Sequence, residues 1–328
     1  MALTNDQKLK LFRNLVRAMT LDQMMMRLIR TGRLVGFYHE GGVALAPSVA
    51  AGTFLEKTDP SWPHLRGHGI AHILSRGIDP KTYFAEHMGR EAGCCKGRSS
   101  FHMSFPDFHI WGASGNIGAN FPISVGLAFA AKHRTTGQIV MNCSGDGSYA
   151  EGRAHEAMLM AANWSLPIVF WCENNLMSQH SALADVFPGE RISVLAPGYG
   201  IPADVIDGQD LFACGEAALK AIAHTRSGKG PYMVECVTVR CHEHSVGSVN
   251  KAGTQQRAPE LMAKWRHDLD PAKLAAKRLI EDGVATEEQI TEIWAETAKE
   301  PAEIEAFCEQ SPRATPPIED LVTAVYAA

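Results

Sequence analysis

The chain has 328 residues, of which 45% are hydrophobic and 20% charged, with a formal net charge of -5 and a pI near 6.3. These values are typical of a globular protein with a large core, and they give no reason to expect binding to nucleic acid or to an anionic membrane. There is no N-terminal basic segment followed by an apolar stretch, and no run of about 18 apolar residues, so we expect a cytoplasmic protein, or an organellar one written without its transit peptide.

The eight cysteines show no Cys-x-x-Cys spacing, and several lie in apolar, strand-like runs such as 140–143 and 169–172. In such runs cysteine usually acts as a small hydrophobic side chain. We therefore predict buried, reduced thiols rather than a disulfide framework.

The first part of the chain predicts one long helix followed by loops. Apolar residues recur at helical spacing over about residues 5–31, and Asp6 is a candidate N-cap. Residues 33–70 are rich in Gly, Pro and His. That composition is typical of loops that line a site, and a plain irregular connection is equally compatible with it.

From residue 112 onward, strands alternate with helices. A glycine-rich loop at 112–118 is followed by predicted helices at 122–133, 151–163 and 211–226 and predicted strands at 138–144, 168–172, 203–206 and 232–239. The alternation predicts a doubly wound α/β fold with a mostly parallel sheet and helices on both faces.

After about residue 255 the pattern is helical and charged, over 271–282 and 286–309, and ends in an extended Pro-rich segment. We expect a single α/β domain made of a helical arm at 1–35, a core at 36–254 and a helical C-terminal extension at 255–328.

Polar residues follow two consecutive predicted strands. Gly145-Asp146-Gly147 comes directly after the first and Asn174-Asn175 after the second. Ligands of open parallel sheets bind outside the carboxyl ends of the strands, so both groups should face one crevice. Carboxylate and amide oxygens suit Mg²⁺ or Ca²⁺ rather than zinc, and Mg²⁺ usually completes its shell with phosphate oxygens and water.

The glycines on either side of Asp146 would let the backbone approach a diphosphate closely, and the helix starting near Glu151 would favour an anion through its dipole. A Gly-Asp-Gly sequence alone is also an ordinary turn. The strand, turn, helix, strand and Asn pair together predict a cation that bridges a diphosphate.

The stretch from Gly145 to Asn175 resembles the thiamine-diphosphate binding motif. From about residue 10 to 325 the chain resembles the alpha subunits of the dehydrogenase (decarboxylating first) component of 2-oxo acid and acetoin dehydrogenase complexes. The resemblance implies an oxidoreductase that uses thiamine diphosphate and Mg²⁺.

The resemblance also implies individual roles. Asp146, Asn175 and the carbonyl of Met177 would be the Mg²⁺ ligands, and Gly147 and Ser148 would offer backbone amides to the diphosphate.

On the same basis, Arg66 and Arg240 would approach the diphosphate, although both could instead be surface cations. Gly115 and Ile117 would meet the aminopyrimidine ring of the cofactor.

Two histidines receive roles by resemblance, with a structural role equally open for each. His39 would face the substrate, and His244 would lie on a mobile loop, around 240–250, at the mouth of the site. Closure of that loop would exclude water. The regular spacing of His64, His68 and His72 could mimic a metal-binding face, but intervening glycines argue against a zinc site. The four polar residues that we assign structural roles are Asn142, His155, Glu156 and Glu173.

The chain also departs from the family pattern. Leu65 stands where the family has tyrosine and Glu243 where it has glycine, Val43-Ala44-Leu45-Ala46 replaces Gly-Gln-Glu-Ala, and no aspartate follows His244-Ser245. None of these departures touches the metal motif. They leave open which substrate is used: pyruvate, a branched-chain 2-oxo acid or acetoin.

Thiamine enzymes need a second half-site, whose glutamate contacts the aminopyrimidine, and this chain shows only the diphosphate half. The resemblance therefore implies an α₂β₂ heterotetramer with a beta subunit, and transfer of the acyl group to a lipoyl acyltransferase core. Two alternatives stay open: a two-subunit lyase or transketolase-like enzyme without a lipoyl partner, and a non-enzymatic scaffold with a relict pocket.

Overall fold

The computed structural model describes residues 1–34, 36–246 and 257–323. Within these ranges, strands β1–β7 are Ser61–Trp62, Val140–Gly145, Ile168–Asn174, Met177–Ser178, Ser181–Ala182, Ala203–Asp207 and Tyr232–Val237. Helices α1–α15 are Asn5–Arg30, Ala46–Thr53, Ile70–Ser75, Pro80–His87, Asn120–His133, Asp146–Tyr149, Gly152–Asn163, Leu183–Val186, Leu195–Gly198, Leu211–His224, Pro259–Asp268, Pro271–Glu281, Glu287–Thr297, Glu300–Gln310 and Ile318–Thr323.

In the described part of the chain, five strands form one parallel sheet in the order β1-β2-β3-β7-β6. The short strands β4 and β5 form a separate antiparallel pair directly after β3. The register of the parallel sheet places Gly145 opposite Glu173. The carboxyl ends of β2 and β3 therefore lie side by side, and the predicted parallel α/β fold is confirmed.

Strand β3 shows why helices cover both faces of the sheet. Its residues alternate between two cores, as side chains on a strand must. Ile168, Phe170 and Cys172 pack in one hydrophobic cluster with residues of α5 and α7. Val169 and Trp171 pack in another with residues of α1, α2 and α10. The strand is buried on both sides, which explains its continuous apolar sequence.

The start of the first helix differs from the prediction. Thr4, not Asp6, is the N-cap: its side chain accepts a hydrogen bond from the amide of Gln7 at 3.3 Å, and the Gln7 side chain accepts one from the Thr4 amide at 2.9 Å. This reciprocal pair is a capping box. Asp6 lies in the first turn, where its charge complements the helix dipole.

The segment 33–70 contains a helix that its composition did not indicate. Helix α2 is buried on all sides, between α1, α3 and α10. A helix that is apolar all round has no amphipathic period to recognise. The predicted helix at 286–309 is instead two helices, α13 and α14. The second has Pro301 in its first turn, where the ring does not disrupt the helix.

Two further expectations can be compared with the structure. All eight cysteines are free thiols, as predicted, and six are buried, whereas Cys94 and Cys95 are only partly buried. Among the described residues, no helix combines the length and the apolar character needed to cross a membrane.

Helix α1 at the N-terminus packs into the main hydrophobic core, so weakening this packing should lower the free energy of unfolding. Leu15 on α1 is fully buried. Leu15→Ala should lower the free energy of unfolding by about 2–5 kcal/mol in urea titrations, because it leaves a cavity. Leu274→Ala, at a position 41% exposed on α12, is the control and should change it by less than about 0.5 kcal/mol. An unchanged midpoint for Leu15→Ala would show that residues 1–35 form a detachable arm.

Candidate active site

A cavity of about 370 Å³ opens at the carboxyl ends of β2 and β3. Its walls come from the turns after these strands, the segment 62–66 and the loop 114–118. All twelve residues that the sequence singled out line it: His39, Arg66, Gly115, Ile117, Gly145, Asp146, Gly147, Ser148, Asn175, Met177, Arg240 and His244. The structure therefore brings residues separated by up to 205 positions to one site.

Asp146 and Asn175 are the two buried oxygen donors of this cavity. Asp146 begins α6 and is 1% exposed, while Asn175 follows β3 and is 5% exposed. The backbone amide of Asn175 donates to the Asp146 carboxylate, so the two residues are in direct contact. Oδ2 of Asp146 and Oδ1 of Asn175 have no hydrogen-bond partner within the described residues. Leaving buried oxygens unpaired is costly, and a hard cation would satisfy both.

Burial raises the pKa of Asp146, and hydrogen bonds from backbone amides together with the nearby His64 and Arg240 side chains oppose that rise. The carboxylate is thus held in a site prepared for positive charge.

The neighbouring residue Asn174 stabilises the turn after β3. The Asn174 side chain donates to Glu235 at 2.6 Å and accepts from the amide of Leu176 at 2.8 Å. These bonds hold the tight turn in which Leu176 and Gln179 adopt positive φ. Asn174 therefore shapes the turn, and Asn175 is the one presented to the cavity.

Arg66 and Arg240 are buried, 7% and 6% exposed, so the alternative that they are surface cations is wrong. Arg66 Nη1 donates to the carbonyl of Glu40 at 3.0 Å, and Arg240 Nη2 to that of Gln179 at 2.8 Å. Burial lowers the pKa of Arg66 to about 10 and that of Arg240 to about 9. Both stay charged at neutral pH, and within the described ranges neither forms a salt bridge, which suits them to an anionic ligand.

A third arginine escaped the sequence analysis. Arg257 donates to the carbonyl of Asn175 at 2.6 Å and to that of Arg240 at 3.2 Å. Arg257 therefore links the turn that contains Asn175 to the segment that contains Arg240. Arg257 lies just ahead of α11, outside any strand-and-turn pattern, so no local signal marked it.

Three histidines form a chain along the other side of the cavity. Nδ1 of His39 lies 3.0 Å from Nε2 of His68, and Nε2 of His39 lies 3.2 Å from Nε2 of His244. Burial, reinforced by Arg66, lowers the pKa of His39 to about 3 and that of His244 to about 4. The rings are neutral at pH 7, so His39 donates with one nitrogen and accepts with the other. The remainder of the predicted mobile loop, 247–250, lies outside the described residues.

The two glycines beside Asp146 are constrained by protein atoms. A Cβ on Gly147 would lie 2.2 Å from Oγ of Ser178, and one on Gly145 would lie 2.9 Å from Nε2 of His64. We expected these glycines to allow the backbone to approach a ligand. In the structure, contacts with protein side chains already exclude a Cβ at both positions.

The loop before α5 contributes an open, apolar part of the wall. A Cβ on Gly115 would find its nearest neighbours at 3.5 Å, and Ile117 is 42% exposed although it lines the cavity. A large apolar side chain that is left uncovered fits contact with a flat ring system.

The three regularly spaced histidines do not form a metal site. Their rings contact different partners: His64 contacts Glu173, His68 contacts His39, and His72 contacts Ser61. The one group with metal-site geometry in the described part of the chain is Glu86, Cys94 and Cys95. Four donors from the segment 95–99 already occupy that carboxylate, so it organises the loop.

The structure is thus an α/β protein with a strand-end cavity, whose buried acid–amide pair and arginines have the chemistry that suits a cation and an anionic ligand. Residues 13–317 match the family described as dehydrogenase E1 component. The chain belongs to this family, and the resemblance seen in its sequence is thereby confirmed.

Individual relatives are similar over nearly the whole chain. The mitochondrial testis-specific pyruvate dehydrogenase E1 component subunit alpha of Rattus norvegicus is 34% identical, covering 99% of this chain and 80% of its own length. The somatic mitochondrial form of Homo sapiens is 31% identical, covering 99% and 81%. The E1 alpha subunit of Rhizobium meliloti is 30% identical, covering 98% and 90%.

The lowered pKa values of His39 and His244 predict a loss of stability in acid. Between about pH 6.5 and pH 4 the unfolded chain binds protons that the native histidines do not, so stability falls as pH falls. His39→Gln should reduce this slope by up to about 1.4 kcal/mol per pH unit. Urea unfolding between pH 7.5 and 5 measures it, with the exposed His267→Gln as control. A parental slope for His39→Gln would mean that His39 is not held neutral.

Proposed function

We propose that this chain is the alpha subunit of a thiamine-diphosphate-dependent 2-oxo acid dehydrogenase. The observation that carries the proposal is the pair of unpartnered, buried oxygens of Asp146 and Asn175 on one cavity. Family membership supplies the reaction class. Pyruvate is the first substrate to test, because it appears in the names of the relatives, with branched-chain 2-oxo acids and acetoin next.

In this proposal Asp146, Asn175 and the carbonyl of Met177 would hold Mg²⁺, which would neutralise part of the diphosphate charge. The amides of Gly147 and Ser148 donate to the phosphate oxygens. Hard oxygen donors with room for phosphate and water are the set that Mg²⁺ prefers. The position of Met177 supports its part, because it is 8% exposed and borders the same cavity.

Arg66 and Arg240 neutralise the remaining diphosphate charge, each with an unpartnered buried nitrogen, Nε and Nη1 respectively. Gly115 and Ile117 lie against the aminopyrimidine ring. Gly145 sets the backbone from which Asp146 projects into the cavity.

When bound, thiamine diphosphate supplies a carbon nucleophile for the substrate carbonyl. The chain's own contribution on the substrate side is the neutral pair of His39 and His244. Since their Nε2 atoms lie 3.2 Å apart, one ring donates a hydrogen bond to the other, which orients both rings on the cavity wall. Burial of these rings keeps water away from the reacting atoms.

The cavity supports the need for a beta subunit. Among its described lining residues there is no glutamate to contact the aminopyrimidine. We propose that the beta subunit supplies that glutamate in an α₂β₂ heterotetramer, and that the acyl group passes to a lipoyl acyltransferase core.

The metal assignment predicts the effect of one substitution. Asp146→Ala should abolish saturable, Mg²⁺-dependent binding of thiamine diphosphate to the heteromer, measured by calorimetry, with an unchanged circular dichroism spectrum. Asp207→Ala removes a carboxylate from another strand end, β6, outside the cavity, and should bind like the parent. Parental affinity in Asp146→Ala would refute the metal assignment.

The reaction class predicts activity only with both subunits present. The chain co-purified with its beta subunit should reduce a dye with pyruvate and should show lipoamide-dependent turnover. Ketol transfer or aldehyde release that needs no lipoamide would instead establish the lyase or transketolase-like alternative. Absence of saturable cofactor binding with and without the beta subunit would establish the scaffold.

A further inference from the structure

We infer that His64 is an additional residue that binds the diphosphate end of the ligand, and that Glu173 is its positioning residue. The inference rests on the proposed function, and it assigns a ligand-binding role to His64 and a positioning role to Glu173, for which the sequence predicted only a structural role.

The Glu173 carboxylate is buried and gripped from two sides. It lies near the end of β3, where Ser48 Oγ donates to its two oxygens at 2.7 and 2.9 Å. Nδ1 of His64 lies 3.0 Å from Oε2 of the same carboxylate. The side chains are 3% exposed for Glu173 and 11% for His64. A buried carboxylate held in this way fixes the plane and the tautomer of the imidazole.

The fixed ring directs its other nitrogen to the cation end of the cavity. An ionised carboxylate can only accept, so Nδ1 carries a hydrogen and Nε2 is the atom left for a ligand. Nε2 lies 2.9 Å from the position that a Cβ on Gly145 would take, and both residues line the cavity. Gly145 directly precedes Asp146. A side chain at 145 would displace the imidazole, so the glycine and the histidine form one arrangement.

The location of His64 determines which part of a ligand it would contact. His64 lies beside Asp146, the proposed Mg²⁺ ligand, and it acts electrostatically on that carboxylate, as Arg240 does. The chain of His39, His68 and His244 is a separate hydrogen-bonded system that shares no residue with it. Protonated at both nitrogens, the ring donates one hydrogen bond to Glu173 and one to a phosphate oxygen, and such charge-assisted bonds are among the strongest in proteins.

Two isosteric replacements separate a ligand contact from a purely structural role. Asn at position 64 places its amide where Nδ1 stands and can satisfy Glu173, whereas Gln reaches the position of Nε2. The affinities of the heteromer for thiamine diphosphate and for inorganic pyrophosphate, each with Mg²⁺, are measured by calorimetry. His64→Asn and His64→Ala should bind both ligands about tenfold more weakly, and His64→Gln should stay within about threefold of the parent.

The outcomes are distinct. Parental affinity in His64→Asn would show that the histidine only satisfies Glu173, and it would overturn the inference. A parent that binds neither ligand saturably would instead refute the proposed function itself. Thermal unfolding midpoints identify any variant that is poorly folded. Among folded variants, the comparison of His64→Asn with His64→Gln decides whether His64 contacts the ligand.

A double-mutant cycle tests the positioning role of Glu173. Glu173→Gln should weaken pyrophosphate binding in the parent and should have little further effect in the His64→Ala background, because it acts through the imidazole. An equal loss in both backgrounds would show that Glu173 acts independently of His64, and would overturn this part of the inference.

Discussion

The arrangement of the site depends on burying the carboxylate of Asp146 at the tip of β2, with one oxygen unpartnered among the described residues. Removing a carboxylate from water is costly unless charge or hydrogen bonds replace the solvent. Here the replacement comes from backbone amides, from His64 and from Arg240. The parallel register of β2 with β3 brings Asn175 to the same point, and Arg257 holds the Asn175 carbonyl in place. The fold thus places two unpartnered oxygens on one cavity wall through its own hydrogen bonds and charges.

Helix α1 is tied to the site through a buried acid. Asp22, which is 1% exposed, accepts hydrogen bonds from the Tyr38 hydroxyl at 2.7 Å and from the amides of Gly41 and Gly42 at 3.0 and 2.8 Å. His39 lies between these contacts. Burial raises the pKa of Asp22, and the three donors oppose the rise. The N-terminal helix therefore helps to position His39 on the cavity wall and also contributes to the core.

The sequence was informative where the signal is local. Strand-end residues such as Asp146 and Asn175 can be found because an apolar run, a turn and a helix follow one another within a few residues. Asp22 and the pair of His64 with Glu173 could not be found in this way. Their partners are 16 to 20 and 109 positions away, and Glu173 itself reads as part of a buried strand. Helix α2 was missed for a related reason, because burial on every side removes the amphipathic period.

Two departures from the family pattern, Leu65 and the block 43–46, can be located in the fold. The carbonyl of Val43, in the replaced Gly-Gln-Glu-Ala block, accepts from the Gln209 side chain at 3.0 Å. Leu65 lines the cavity itself. None of these residues touches the unpartnered oxygens of Asp146 and Asn175. These positions can therefore differ from those of relatives without altering the arrangement of the two oxygens.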